Sequence, residues 1–272
     1  MAPLLPPAGS PPIAQFAARL IDTLDSDRLL AELADGLRAR LDFTNLIVFA
    51  YRQGFAADLV FTNLDIDRLR KQMEPYTSGL FMLDPFYIAD MTEGRHGVLT
   101  FAGVTPEAFK DSEFFLAFYN GVNVLDELHF VVPLAPGRSV HVFVEREAPL
   151  EKFTTDEIAG LESLEPMVRS AIQRHWAWRD RAQADATASP IQSAGGIDGV
   201  IRNMKPGQLT PREIEVIGLS LRGHSSKLIA HELSISEGTV TNHKRNVYEK
   251  LEIHSQSQLF SLFLSTLAGQ AA

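Results

Sequence analysis

Between Leu209 and Leu267 the chain carries four signals that start helices and one that stops a helix, and together they leave few folds open. Leu209-Thr210-Pro211-Arg212-Glu213-Ile214 is a capping box. The Thr210 hydroxyl can accept from the third backbone N–H, Glu213 can reach back, and Pro211 suits the first helical position. Gly223 is a left-handed stop. Ser225 or Ser226 opens a second short helix, Lys227–Leu233. Ser236 caps a third, Glu237–Leu251, and Ser255 with Gln258 opens a fourth. Ile214, Ile217, Leu221, Leu228, Ile229, Leu233, Ile235, Val240, Val247, Leu251 and Leu259 can fill one small core. The second and third helices are separated by only a few residues, which forces the tight angle of a helix-turn-helix.

On the third helix Val240, Val247 and Leu251 point inward. The opposite face presents Thr241, Asn242 and Arg245, with Thr239 and Lys244 beside them. Polar and cationic side chains on the first turns suit base edges in a major groove. Asn pairs bidentately with adenine and Arg with guanine. Lys227 and Lys244 are placed for phosphates, which set register rather than sequence.

The segment Leu209–Leu251 (LTPREIEVIGLSLRGHSSKLIAHELSISEGTVTNHKRNVYEKL) resembles the DNA-binding domain of the LuxR family. The resemblance rests on Leu-Thr-Pro-Arg-Glu at 209–213, Gly223, Ile229-Ala230, Ile235–Val240, His243 and Leu251. It implies that Thr241, Asn242 and Arg245 fall on base-reading positions and that the fourth helix is a dimer contact. Ser225-Ser226-Lys227 departs from the family's frequent Asn-Lys-Glu.

Charge supports a division of labour. The net charge is −9, yet residues 205–272 hold seven Lys/Arg against six Asp/Glu, a balance of +1. The remainder carries −10. A DNA-binding unit of +1 relies on a few placed cations and on a second copy. There are no cysteines, which excludes disulfides and thiolate metal sites. No apolar run approaches the ~20 residues that span a bilayer, and the Pro-rich start has no signal-peptide pattern. A cytoplasmic location is expected.

Upstream, residues 1–12 read as a disordered tail and residues 13–181 as a sensor domain. Ile13–Leu41 has helical periodicity. Asn45–Arg52 and Asp58–Thr62 read as strands joined by a turn at 53–56. Residues 64–93 look helical in pieces broken at Pro75 and Pro85, and 105–121 reads as a helix opened by Thr105-Pro106. Glu127–Leu134 and Val140–Glu145 read as strands. Thr154 and Glu157 open a helix running to about Arg181, and residues 182–204, rich in Ala, Ser and Gly, read as a linker. The expected fold is α+β. An α/β/α sandwich on an antiparallel sheet, similar to GAF and PAS domains, precedes an all-α four-helix unit at 205–272.

The sensor has no paired acidic residues at an early strand end, as a phosphorylatable receiver needs, and the chain has no GxxxxGK[ST] loop. Asp84-Pro85 matches an element of the LuxR autoinducer-binding domains. Their two pocket tryptophans are missing, since Trp176 and Trp178 lie on the closing helix; this disfavours an acyl-homoserine lactone. Leu83–Tyr87 and Val124–Leu134 resemble LuxR-type solo regulators, whose input is GAF-like or autoinducer-domain-like. Candidate ligand residues are Tyr76, Asp84, Phe86, Tyr87, Phe115, Tyr119 and His129, an aromatic set with a few polar anchors. His129 and His141 fall on one sheet face but lack a third metal ligand at useful spacing. No nucleophile, base and orienting group come together, so the chain is not expected to be an enzyme, and no cofactor or metal is implied. The expectation is a homodimeric, sequence-specific transcriptional regulator on double-stranded promoter DNA. Its control falls to an unidentified small-molecule effector or, alternatively, to a protein partner, with RNA polymerase as a further contact and no membrane.

Overall fold

The computed structural model describes residues 12–65, 67, 73–119, 123–182 and 196–270. Nearly all of the expected tail and most of the expected linker lie outside them.

Two helices come first, α1 (Ile13–Asp22) and α2 (Leu29–Arg38). The periodicity over Ile13–Leu41 predicts one unbroken helical stretch, but it is interrupted at Thr23. There the Thr23 hydroxyl donates to the Arg19 carbonyl (2.8 Å) and the Ser26 hydroxyl to the Thr23 carbonyl (3.0 Å), local bonds that compete with the helical ladder. Strands β1 (Asn45–Arg52) and β2 (Asp58–Thr62) pair antiparallel, as expected. A short helix α3 (Glu74–Thr77) holds Pro75 in its first turn, where a missing N–H is tolerated, so Pro75 does not break it. A 3₁₀ turn at Leu80–Leu83 leads into α4 (Pro85–Met91).

An edge strand that the sequence pattern did not reveal, β3 (Gly97–Thr100), follows and runs into α5 (Phe101–Val104). The helix expected at 105–121 is replaced by a 3₁₀ turn at Phe109–Asp111 and by α6 (Glu113–Phe118). Thr105 closes the preceding helix by donating to the Phe101 carbonyl (2.8 Å), and Ser112 is the cap, accepting from Phe115 N (3.1 Å). The long strands β4 (Val124–Ala135) and β5 (Arg138–Glu147) turn at Pro136-Gly137. Helix α7 (Thr155–Ala182) closes the half expected to act as the sensor.

The sheet is fully antiparallel in the order β2-β1-β5-β4-β3. Alternation sorts its side chains. Leu46, Val48, Leu128, Phe130, Val132, Val140, Val142 and Val144 face α1, α2 and α7 in one core. The apolar stripe of α7, including Leu161, Leu164, Val168 and Ile172, is spent on that core. The opposite face carries Phe49, Tyr51, Glu127, His129, His141 and Phe143 beneath the short helices.

Five helices follow. Helix α8 (Gly196–Met204) occupies part of the segment expected to be a linker, because Ile197, Val200 and Ile201 form an apolar face that it buries. Then come α9 (Pro211–Leu221), α10 (Ser226–Glu232), α11 (Glu237–Leu251) and α12 (Gln256–Gln270). Every cap expected in these helices forms: Thr210 with Glu213 as a full box, Ser225, Ser236, and Ser255 accepting from Gln258 N (3.2 Å).

The helical half rests against the sensor's aromatic layer, and one apolar cluster runs from Phe49 and Tyr76 through Leu80 to Ile217, Phe263 and Leu267. Two glycines allow the approach. Gly79, at φ +145°, has Leu267 Cδ2 only 2.1 Å from where a Cβ would stand. Gly223, at φ +85°, would bring a Cβ to 3.1 Å from Ser112 Cβ and 3.3 Å from Phe109 Cα. The Ser257 hydroxyl donates to Glu113 across the same seam (2.5 Å). Helix α12, which the LuxR resemblance makes a dimer contact, therefore buries Phe260, Phe263 and Leu267 within its own chain.

Candidate nucleic-acid interface and sensor site

Helices α10 and α11 pack through Ile229, Ala230 and Val240 against Val216 of α9. This anchors one side of α11 and leaves Thr241, Asn242 and Arg245 exposed on the other. The Thr241 hydroxyl donates back to the Glu237 carbonyl (3.0 Å), which keeps it close to the helix. Thr239 shares a hydroxyl bond with Ser236 (2.8 Å) and is half-buried at the cap. Lys244 is half-buried, and burial draws its amine below the usual lysine range. Lys227 is exposed on α10. An open groove of about 750 Å³ runs along Thr241, Lys244, Arg245 and Tyr248.

The low net charge of this half has a structural counterpart. Lys250 is tied to Glu213 (2.6 Å), Lys205 to Glu252 (2.6 Å) and Arg212 to Glu215 (2.7 Å). Lys227, Lys244, Arg245 and Arg222 have no carboxylate within 4 Å among the described residues. Three of these four cations are the ones the sequence places at DNA.

In the sensor a chain of hydrogen bonds crosses the aromatic layer. The Tyr51 and Tyr76 hydroxyls are 2.6 Å apart, and Tyr76 donates to Asp84 Oδ2 (2.6 Å). Asp84 Oδ1 caps α4 by accepting from Phe86 N (2.8 Å). Phe86 stacks on His129 at 3.5 Å between ring centroids, and Phe143 stacks on His129's other face at 3.6 Å. Glu127 bonds His129 Nε2 and accepts from the Tyr119 hydroxyl (2.8 Å). Phe115 stacks on Tyr119, while Tyr87 meets Tyr51 and Phe81 edge-on. The structure thus brings all seven candidate ligand residues into one contiguous patch. Sequence reasoning missed Tyr51, Glu127 and Phe143. Glu127 was visible in principle, because it shares the inward alternation of His129 and Val131 on β4.

Burial dominates the electrostatics here. It raises the Asp84 carboxyl, and the hydrogen bonds from Tyr76 and Phe86 only partly oppose it. It lifts Glu127 to about 7 despite the Tyr119 bond, and it holds His129 well below the usual imidazole range. Nδ1 of both His129 and His141 is buried without a hydrogen-bond partner among the described residues. A second cluster lies beside this one. Asp90 accepts from Ser139 (2.5 Å) and pairs with His141 (2.9 Å) and His96 (3.2 Å). Burial raises its carboxyl, but these bonds outweigh that and leave it lowered overall.

The Glu127 shift has a consequence for stability. A carboxyl raised on folding contributes stability that is fully present below its unfolded value, near 4.5, and that is lost as pH rises through about 7. This group's own contribution is expected to fall by roughly 3 kcal/mol across that window, against an opposing gain from His129, whose lowered imidazole favours the fold as pH rises towards 6.5. Glu127→Gln is expected to remove the falling contribution, so that in urea titrations at a series of pH values unfolding free energy rises more steeply with pH than in the wild type. A wild-type slope retained by the variant would contradict the assignment.

Residues 207–263 match the family model described as bacterial regulatory proteins, luxR family. A "putative HTH-type transcriptional regulator" of Aeromonas salmonicida is 31% identical over 186 residues, covering 68% of this chain and 94% of that protein. The chain belongs to the luxR family. It is a transcriptional regulator with a helix-turn-helix DNA-binding domain. The monoamine regulon transcriptional regulator of Klebsiella aerogenes is 43% identical over 56 residues, covering 21% of this chain and 25% of that protein. In fold, the sensor half is similar to the "VqsR LBD domain" from Pseudomonas aeruginosa, with a TM-score of 0.53 at 22% identity over 61% of this chain and 97% of that one. Among the described residues no helix is long and apolar enough to cross a membrane.

Proposed function

We propose that this luxR-family regulator reads a specific operator through Thr241, Asn242 and Arg245. Lys244, Lys227 and Thr239 fix its register on the phosphates, and residues 13–181 act as a sensor controlling residues 205–272. The observation that carries the DNA assignment is the pairing pattern. Lys205, Arg212 and Lys250 are tied to carboxylates, while Lys227, Lys244 and Arg245 have none within 4 Å among the described residues and lie near one face. With so few contacts, two copies on a two-fold operator supply the affinity, and RNA polymerase would be a further contact.

Control is assigned to a small molecule held among Tyr76, Asp84, Phe86, Tyr87, Phe115, Tyr119 and His129. The buried unpaired imidazole nitrogens support this, since such atoms in a native interior are rare and are available to a ligand. The tight packing supports a second reading, control by a protein partner: Tyr76, Asp84, Phe86 and His129 are each at most 1% exposed, so a ligand must part these side chains to reach them.

A thermal-shift screen of the full chain against a broad metabolite set separates the two readings. A ligand at about 100 times its Kd adds roughly 2.7 kcal/mol, and the shift is expected to vanish in His129→Phe. No shift from any compound favours the protein partner.

A further inference from the structure

Arg222 is a further cation of the helical half with no carboxylate within 4 Å among the described residues, and it lies against the sensor rather than beside Arg245. It follows the last turn of α9, and Gly223 beside it presses on Phe109 and Ser112 of the sensor. Its Nε is buried without a hydrogen-bond partner among the described residues. Burial lowers its guanidinium, while Asp198, Glu232 and Glu93 favour the charged form. Two of those acids are engaged elsewhere, Glu232 with His224 (3.0 Å) and Glu93 with Arg95 (3.4 Å).

Arg222 lines a groove of about 610 Å³ between the two halves. That volume falls within the usual range for small-molecule sites. Phe81, Met82, Tyr87 and Met91 of the sensor form its apolar wall, and Asp198 of α8 and Arg222 stand across from them. No hydrogen bond engages the Tyr87 hydroxyl among the described residues, and burial pushes that hydroxyl up to about 12, so it remains a donor. The groove therefore holds unspent donors on both halves, a phenol and a guanidinium, over a floor of aromatic and thioether side chains.

We propose that this seam is a second ligand site, which adjoins the buried sensor patch and shares Tyr87 with it, and that it takes a small amphipathic carboxylate. The carboxylate would accept from Arg222 in the bidentate geometry that guanidinium favours and from Tyr87. The apolar body would lie along Phe81, Met82 and Met91. Because its contacts come from both halves, such a ligand holds the helical half docked on the sensor and opposes release of α12.

The test uses the full chain and four probes: octanoate and 4-phenylbutyrate, each paired with the corresponding amide. Calorimetry is expected to show binding of the carboxylates and a loss of about tenfold or more for the amides. Arg222→Gln is expected to weaken carboxylate binding by a similar factor. Tyr87→Phe, which keeps the ring, is expected to weaken it less, and Met91→Trp to block it by filling the groove. Hydrogen exchange with octanoate is expected to slow together in α4 and α8, on the two sides of the seam. Absence of binding, equal binding of acid and amide, or carboxylate binding untouched in folded Arg222→Gln and Met91→Trp would overturn the site. Protection confined to the sheet would place the ligand in the sensor patch instead and overturn it equally.

Discussion

Arg245→Ala is expected to erase most of the chain's preference for its operator while leaving its stability unchanged. The side chain is exposed and has no carboxylate partner among the described residues, so its removal costs the fold little. A bidentate arginine–guanine pair discriminates by about 1–3 kcal/mol, which corresponds to roughly 5- to 150-fold in affinity. Asn242→Ala is expected to act similarly at an adenine, and the two together to bring specific binding close to the non-specific level. Lys227→Ala provides the contrast. It is expected to weaken binding to all sequences alike and to reduce the salt slope by about one. Anisotropy titrations on a selected operator and a scrambled duplex, at two salt concentrations, separate the two patterns. Unchanged operator preference in the Arg245→Ala, Asn242→Ala double variant would falsify the readout.

Asp84→Ala is expected to be among the most destabilising single changes in the sensor. One carboxylate accepts from the Tyr76 hydroxyl and from Phe86 N at a position 1% exposed. Alanine removes the cap of α4, at a cost of about 0.5–2 kcal/mol. It also leaves the buried Tyr51–Tyr76 hydroxyl pair one acceptor short, and an unsatisfied buried donor costs about 1–3 kcal/mol. A loss of about 3 kcal/mol in urea unfolding is expected. Asp84→Asn keeps the shape and one acceptor oxygen, so it can still cap α4 through Phe86 N and is expected to cost less than alanine. A loss under about 1 kcal/mol for Asp84→Ala would show that water or a rearranged Tyr76 satisfies the site.

The helical half was nearly complete in the sequence because local chemistry decides it. Each start is a hydroxyl followed three residues later by the N–H it accepts from, and Thr210, Ser225, Ser236 and Ser255 all behave that way. The sensor was less legible where tertiary contacts override local signals. Thr105-Pro106 is a good helix opening, but Thr105 ends the previous turn and Ser112 takes over as cap. The Gly97–Thr100 strand has only four residues and exists because β4 offers it a free edge. Ile197, Val200 and Ile201 already had helical spacing, hidden by the Gly195-Gly196 pair before them. In the sensor patch, Asp84 and the aromatics could be found by residue type. Tyr51 and Phe143 could not, because the sheet register alone brings them there.

The unbroken apolar cluster from Phe49 to Leu267 makes the two halves thermodynamic creditors of one another. Any free energy a ligand adds to the docked arrangement must be returned before α12 can leave the sensor. By reciprocity, an operator that favours the released arrangement weakens that ligand by the same factor. Operator strength and effector sensitivity are then one linked quantity, and a promoter with a better site would switch at a different effector level with no change in the protein.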